Sequence, residues 1–119
     1  MTRLRSLSLA TVVACCMGFT ALALAHHGWT GYEEELLEVN GVIEQSSYAN
    51  PHGSIQLKTP EKTWLVVLAP TSRMTNRGLT AEMLKTGITV AVEGYRNKTD
   101  PKEMRAERIT VDGKTVELR

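Results

Sequence analysis

The chain has 119 residues, 42% of them apolar, with 14 Lys+Arg against 13 Asp+Glu. That length suits one compact domain and is too short for two. An ordinary apolar fraction excludes global disorder, and the near-zero net charge leaves no electrostatic footprint for nucleic acid.

The first residues, Met1 to Arg5, carry two positive charges, Arg3 and Arg5. An uncharged, mostly apolar stretch runs from Ser6 to Ala25 and ends in Ala23-Leu24-Ala25. A basic start, an apolar run and a small-x-small end are the parts of a secretory signal, so residues 1–25 read as a cleaved signal peptide. Uncut, a stretch of about 20 residues could span a bilayer, but polar sequence follows the cleavage site at once. Val12-Val13-Ala14-Cys15 offers a competing route, a lipobox that would make Cys15 a lipidated N-terminus. It lacks the usual Leu and would leave the apolar run Met17 to Leu24 on the product.

Cleavage after Ala25 leaves residues 26–119, which is 94 residues (119 less 25). Arg3 and Arg5 leave with the signal, so the net charge passes from +1 to −1. Cys15 and Cys16 leave too, which excludes disulfides, a thiol nucleophile and thiolate metal sites from the exported domain. The expected location is the periplasm, without membrane contact after cleavage.

Residues 26–35 read as an N-terminal arm or short edge strand, with Glu33, Glu34 and Glu35 as a solvated face. A β domain is expected over 36–119. In Leu37, Val39, Gly41 and Ile43 every second residue points one way, and Gly41 suggests a bend or bulge. Gln45 to Gly53 is a polar connection with turn chemistry at Asn50-Pro51. Ser54 to Lys58 alternates Ile55 and Leu57 inward, and Thr59-Pro60-Glu61-Lys62 is a hairpin turn. Thr63 to Leu68 is continuously apolar, as for a central strand covered on both faces.

Thr71 to Thr86 is the one helical stretch. Ser72 can cap a turn that stops at Gly78, and Thr80 a second turn, Ala81 to Lys85, that stops at Gly87. Strands resume with Ile88, Val90 and Val92 facing in. Met104 to Val111 is a strand whose inward set changes phase between Ala106 and Ile109, which suggests a bulge. Asp112-Gly113 is a two-residue hairpin signal, and Thr115 to Leu118 closes the sheet. This order predicts an all-β fold: a small OB-like antiparallel β-barrel of five to six strands, with one short helix between strands 3 and 4. A small open sandwich or roll is the alternative.

Several motifs resemble one family. They are His26-His27-Gly28, Asn50-Pro51-His52, Gly78-Leu79-Thr80 running on to Leu84-Lys85-Thr86-Gly87, Val92-Glu93-Gly94, and Arg105-Ala106 with Ile109-Thr110 and Asp112-Gly113. Together they are similar to a family of small exported Gram-negative proteins of unknown function. The chain departs from that pattern at Gly28 (Ser in the family), Leu79 (Trp) and Thr86 (Pro). The resemblance implies a periplasmic β-barrel domain and little about activity.

The histidines are the only chemical constellation. The chain has three, His26, His27 and His52. After cleavage at Ala25, His26 offers a free α-amine and its own ring nitrogen, which chelate a metal together. His52, beside Pro51, is the candidate third nitrogen and His27 the spare. Nitrogen-only sites favour Cu(II), with Zn and Ni as alternatives. Ligation needs neutral imidazole and a deprotonated amine, so binding weakens in acid. A cut one residue earlier would give Ala25-His26-His27, a local square-planar chelate that does not need His52. The plain structural alternative is two solvated histidines at a chain end and a third in a turn. Met74, Met83 and Met104 are thioether candidates for Cu(I), though such residues usually fill cores.

Enzymatic constellations are absent. There is no nucleophile motif, no Ser-His-Asp arrangement and no phosphate-cradling Gly loop. Glu33 to Glu35 could supply a general acid or base, but nothing implies a pocket around them. Trp29, Tyr32, Tyr48 and Trp64 could form a stacking platform of the OB type, with Trp64 more in keeping with core and Trp29 and Tyr32 either exposed or packing the arm onto the domain. The expected function is therefore non-enzymatic binding of a transition metal, copper first. The alternative is a module for a partner protein or a small polar ligand without metal.

Overall fold

A computed structural model describes residues 29–119. His26, His27, Cys15 and the whole signal sequence lie outside the described residues. The fold is all-β. Six strands form one sheet: β1 (Tyr32–Ser47), β2 (Ser54–Lys58), β3 (Thr63–Val67), β4 (Thr89–Asn97), β5 (Glu103–Val111) and β6 (Lys114–Glu117). Helix α1 (Thr71–Asn76) and a 3-10 turn (Ala81–Leu84) lie between β3 and β4, where the short helix was expected.

The sheet order is β3-β2-β1-β4-β5-β6, and a further β3–β5 pairing closes β1, β2, β3, β5 and β4 into a ring. That closing pair is parallel, Leu65 to Val67 against Glu103 to Arg105, whereas an antiparallel set was expected throughout. A parallel closure follows from the long β3–β4 connection, which returns the chain to the far side of the ring before β4 and β5 form their hairpin.

Strand β1 carries the ring by changing partners along its length. Tyr32 to Val42 pairs with β4 and Val42 to Ser47 with β2. It begins at Tyr32, ahead of the Leu36 boundary, so the acidic run lies inside a strand. The bulge falls between Ile43 and Gln45, three residues beyond Gly41. Gly41 serves another purpose: a Cβ there would press into the Lys58 carbonyl and come within 2.9 Å of Leu57 Cγ. Glycine permits this close approach of backbone to backbone. The second bulge is where the phase change placed it, with Glu93 opposite Arg108 but Gly94 opposite Ala106.

Two local readings are corrected. Strand β3 is only partly covered on its second face: Trp64 and Val66 point inward, while on the other face Thr63 and Leu65 remain half-buried and Val67 is buried. Ser72 and Thr80 do not cap through their side chains. Helix α1 starts at Pro70, whose carbonyl accepts from Met74 N at 3.1 Å, and Ser72 lies inside the helix. Proline's fixed φ suits a helix start. The glycine stops hold, with Gly78 at φ +85° and Gly87 at φ +91°. Asp112 (φ 49°) and Gly113 (φ 76°) form the expected hairpin turn, in which both central residues have positive φ.

The core lies inside the ring and under α1. Ile43, Ile55, Leu57, Val66, Leu68, Met74, Leu79, Met104, Ile109 and Leu118 are each at most 1% exposed. Met74 and Met104 are core side chains and Met83 packs against the same cluster, so packing accounts for all three methionines.

Candidate functional site

His52 sits in the connection between β1 and β2. Both ends of that connection are fastened. The Gly53 amide donates to the Ala69 carbonyl at 2.9 Å, and the Gly53 carbonyl accepts from Leu68 N at 2.9 Å. The Thr71 hydroxyl donates to Asn50 Oδ1 at 2.9 Å. The Tyr48 hydroxyl donates to the Leu79 carbonyl at 2.7 Å and lies 2.8 Å from Thr75 Oγ1. The Asn50–Pro51 peptide is cis. These contacts hold the loop against α1 and the exit of β3, with His52 exposed on its crest.

Among the described residues, no group of three or more His, Cys, Asp or Glu is placed to hold a metal. His52 therefore belongs to no such group, and its two expected partners lie outside the described residues.

The segment that follows those partners is anchored. Trp29 lies edge-on to Tyr95, ring centroids 5.7 Å apart. The guanidinium carbons of Arg105 and Arg119 each stand 4.4 Å from its ring centroid. The Trp29 carbonyl accepts from Tyr32 N at 3.1 Å, and Gly31 accepts from Lys98 N at 2.8 Å. The Tyr32 hydroxyl donates to Glu103 Oε2 at 2.7 Å, and Asn97 Nδ2 donates to the same oxygen at 2.6 Å. Burial first, and the Glu103 carboxylate second, push the Tyr32 hydroxyl up to about 12.

A path of paired residues links this anchor to the root of the His52 loop. Ser54 pairs with Val67, Val67 with Arg105, Arg105 with Tyr95, and Tyr95 with Leu36. Ser47, at the other end of β1, pairs with Ser54. Arg105, which covers Trp29, stands two strands from the root of the His52 loop, about 10 Å at the usual strand spacing. A second route joins them through α1. Arg73 Nη1 donates to the Leu118 carbonyl at 3.0 Å, and the next residue, Arg119, covers Trp29.

The surroundings are cationic. Burial lowers the Arg105 guanidinium's affinity for its proton, and repulsion from Arg73 and Arg119 adds to that, partly offset by Tyr32. Glu107 balances Arg119 at 3.6 Å. Sequence reasoning missed this cluster. Its only local sign is an aromatic residue set in an otherwise polar arm.

The four aromatic residues do not form one platform. Trp29 and Tyr32 pack the arm onto the ring, and Tyr48 fastens the loop. Trp64 is 5% exposed at the far end, beside the β2–β3 turn, with Lys62 Nζ 3.8 Å from its ring centroid. It floors an open groove of about 440 Å³ that Leu37, Glu38, Val39, Glu61 and Arg96 help to line.

A family model covers residues 13–105, nearly all of the β domain through the first residues of β5. The chain belongs to the family of unknown function DUF6152. That agrees with the resemblance drawn from the motifs. No curated protein matches the chain.

Proposed function

We propose that this DUF6152 protein is an exported, periplasmic, non-enzymatic binding protein that holds a transition metal, copper first, with Zn and Ni as the other candidate ions. The ligands are the α-amine and ring of His26 with the ring of His52, and His27 is the spare. One observation carries the reading: Trp29 is pinned under Arg105, which stands two strands in register from Ser54 at the root of the His52 loop. Three residues separate His26 from Trp29, a reach of about 10 Å. Two to three strand spacings cover a similar span, so an amine-led chelate starting from Trp29 has His52 within range. The cationic cluster opposes a metal ion, so affinity in this reading comes from the nitrogen ligands and their geometry, not from the local field.

Isothermal titration with Cu(II) tests the reading on protein whose N-terminal residue has been established as His26 by intact mass. Parent protein should bind one equivalent, and His52→Ala should bind at least tenfold more weakly. Equal affinity in the two proteins would overturn the three-nitrogen site. Binding should also weaken in acid, because the metal competes with protons for the same nitrogens.

The reading without metal, a module for a partner protein or small ligand, draws support from a different observation. That observation is the groove over Trp64, at the opposite end of β2 from His52.

A further inference from the structure

Among the described residues, β1 pairs with β4 alone from Tyr32 to Gly41; β2 joins it only from Val42 onward. The first half of β1 therefore has an open edge, with backbone N–H and C=O groups facing away from β4. That edge borders the groove over Trp64, whose opposite wall is the β2–β3 turn at Thr59, Pro60 and Glu61. Leu37 and Val39 turn half-buried side chains into the groove, while Glu38 and Asn40 alternate outward.

The exposed charges along this edge are mainly acidic; the cations beside it are Lys62 and Arg96, held over Trp64 on the groove floor, and Arg119 next to Glu33 and Glu34. Glu33, Glu34, Glu35 and Glu38 are exposed on β1, and Glu61 is exposed across the groove. The ion pairs of Lys85, Arg108 and Arg119 engage Glu82, Glu93, Glu117 and Glu107 instead. Like charges disfavour edge-to-edge pairing of two copies of this chain. The same charges favour a strand of opposite sign.

We propose that the open edge of β1 and its groove take an extended basic peptide segment of a partner protein by strand addition. The main chain of that segment would pair with Leu36 to Asn40, between the irregularity at Tyr32–Leu36 and the close approach of Lys58 to Gly41. Alternate side chains would point down onto Leu37, Val39 and Trp64, so they should be apolar. The intervening side chains would point outward beside Glu38 and toward Glu61, so they should be Lys or Arg. Backbone pairing supplies affinity in such complexes, and the alternate side chains supply selectivity.

The probe is the peptide acetyl-Lys-Val-Lys-Val-Lys-Val-Lys-amide, with its Glu-for-Lys analogue as the control. Both are titrated into the exported chain in the presence of a chelator, so that metal plays no part. The basic peptide should shift the backbone amide resonances of Leu36 to Asn40 and those of Thr59 and Glu61. In a Trp29→Phe background it should also change the emission of Trp64. The acidic analogue should do neither. Reversing two exposed charges, Glu38→Lys with Glu61→Lys, should weaken binding at least tenfold while the far-ultraviolet circular dichroism stays that of the parent. Raising NaCl to 1 M, which shortens the screening length to about 3 Å, should weaken it as well. Equal binding of the two peptides, undiminished binding by the reversed variant, or amide shifts elsewhere on the ring would overturn the proposal. So would no shift at millimolar basic peptide, which would leave the carboxylates as guards of an edge that accepts no partner.

Discussion

Replacing Trp29 by Ala tests the idea that the start of the domain is held in place. The substitution removes an edge-on contact with Tyr95 and two guanidinium contacts, at 5.7, 4.4 and 4.4 Å. A half-buried cation–π contact contributes about 1 kcal/mol and a more exposed one about 0.5. The aromatic pair adds about 0.5 to 1. The sum is about 2 kcal/mol, or roughly 10 °C in Tm for a domain of this size. Thermal unfolding followed by circular dichroism measures it, and Trp29→Phe should lose less than half as much. The same change lengthens the free arm. With Trp29 released, the Gly31 carbonyl on Lys98 N becomes the first anchor, and the tether from His26 grows from three residues to five. Effective concentration falls as about the −3/2 power of tether length, so the chelate should meet His52 about twofold less often. Copper affinity should fall by that factor or more. A Trp29→Ala protein that unfolds within 2 °C of the parent would refute the clamp. One that unfolds early yet binds copper at parental affinity would show that the anchor does not govern the site.

Two further predictions concern the ring. Tyr32, pushed up to about 12 from its ordinary value of 10.0, favours the neutral phenol in the folded state. Its stabilisation is complete below about pH 10 and lost as pH rises through about 12; solvent screening at this partly exposed position holds it to about 1 kcal/mol. Tyr32→Phe should flatten the alkaline loss of stability, and ultraviolet titration of the parent should show one tyrosine ionising last. Gly41→Ala should cost about 1 to 3 kcal/mol in urea unfolding, because the added methyl meets the Lys58 backbone rather than a flexible side chain. A cost under 0.5 kcal/mol would mean that β1 and β2 can part there without loss.

Much of the fold was legible because its signals are local. Alternation in Ser54 to Lys58, the Thr59–Lys62 turn, the glycine stops at Gly78 and Gly87 and the Asp112-Gly113 hairpin each depend on a few adjacent residues. The phase change near Ala106 was legible for the same reason, since a bulge must shift the inward set by one residue. The parallel β3–β5 closure was not legible. Strands that meet across the ring share no sequence signal, and the register of Val67 with Arg105 follows only once the whole chain has folded back. Packing of the arm through Trp29 was one of two readings, but its partners were not legible, as they come from β4, β5 and the residue that follows Leu118. Strand β3 misled because a run of apolar residues reads as doubly covered, whereas Leu65 keeps one half-exposed face. The histidines were legible as residue types and spacing. Whether His52 could meet the start of the exported chain depended on ring order, which no pattern in the sequence carries.

That ring order also separates the two proposed activities. Both use β1, but at different ends of β2. The His52 loop adjoins Ser54, where β2 begins, and the groove adjoins the turn after Lys58, where β2 ends. Five residues of strand lie between them, about 13 Å along the chain. Arg105 and Arg119 gather on Trp29 at the start of β1, where Arg119 shares a pocket with Glu33 and Glu34. A metal held at the loop therefore draws its affinity from nitrogen chelation, not from the local field. A basic strand at the edge needs no metal at all, so either activity can fail without disturbing the other.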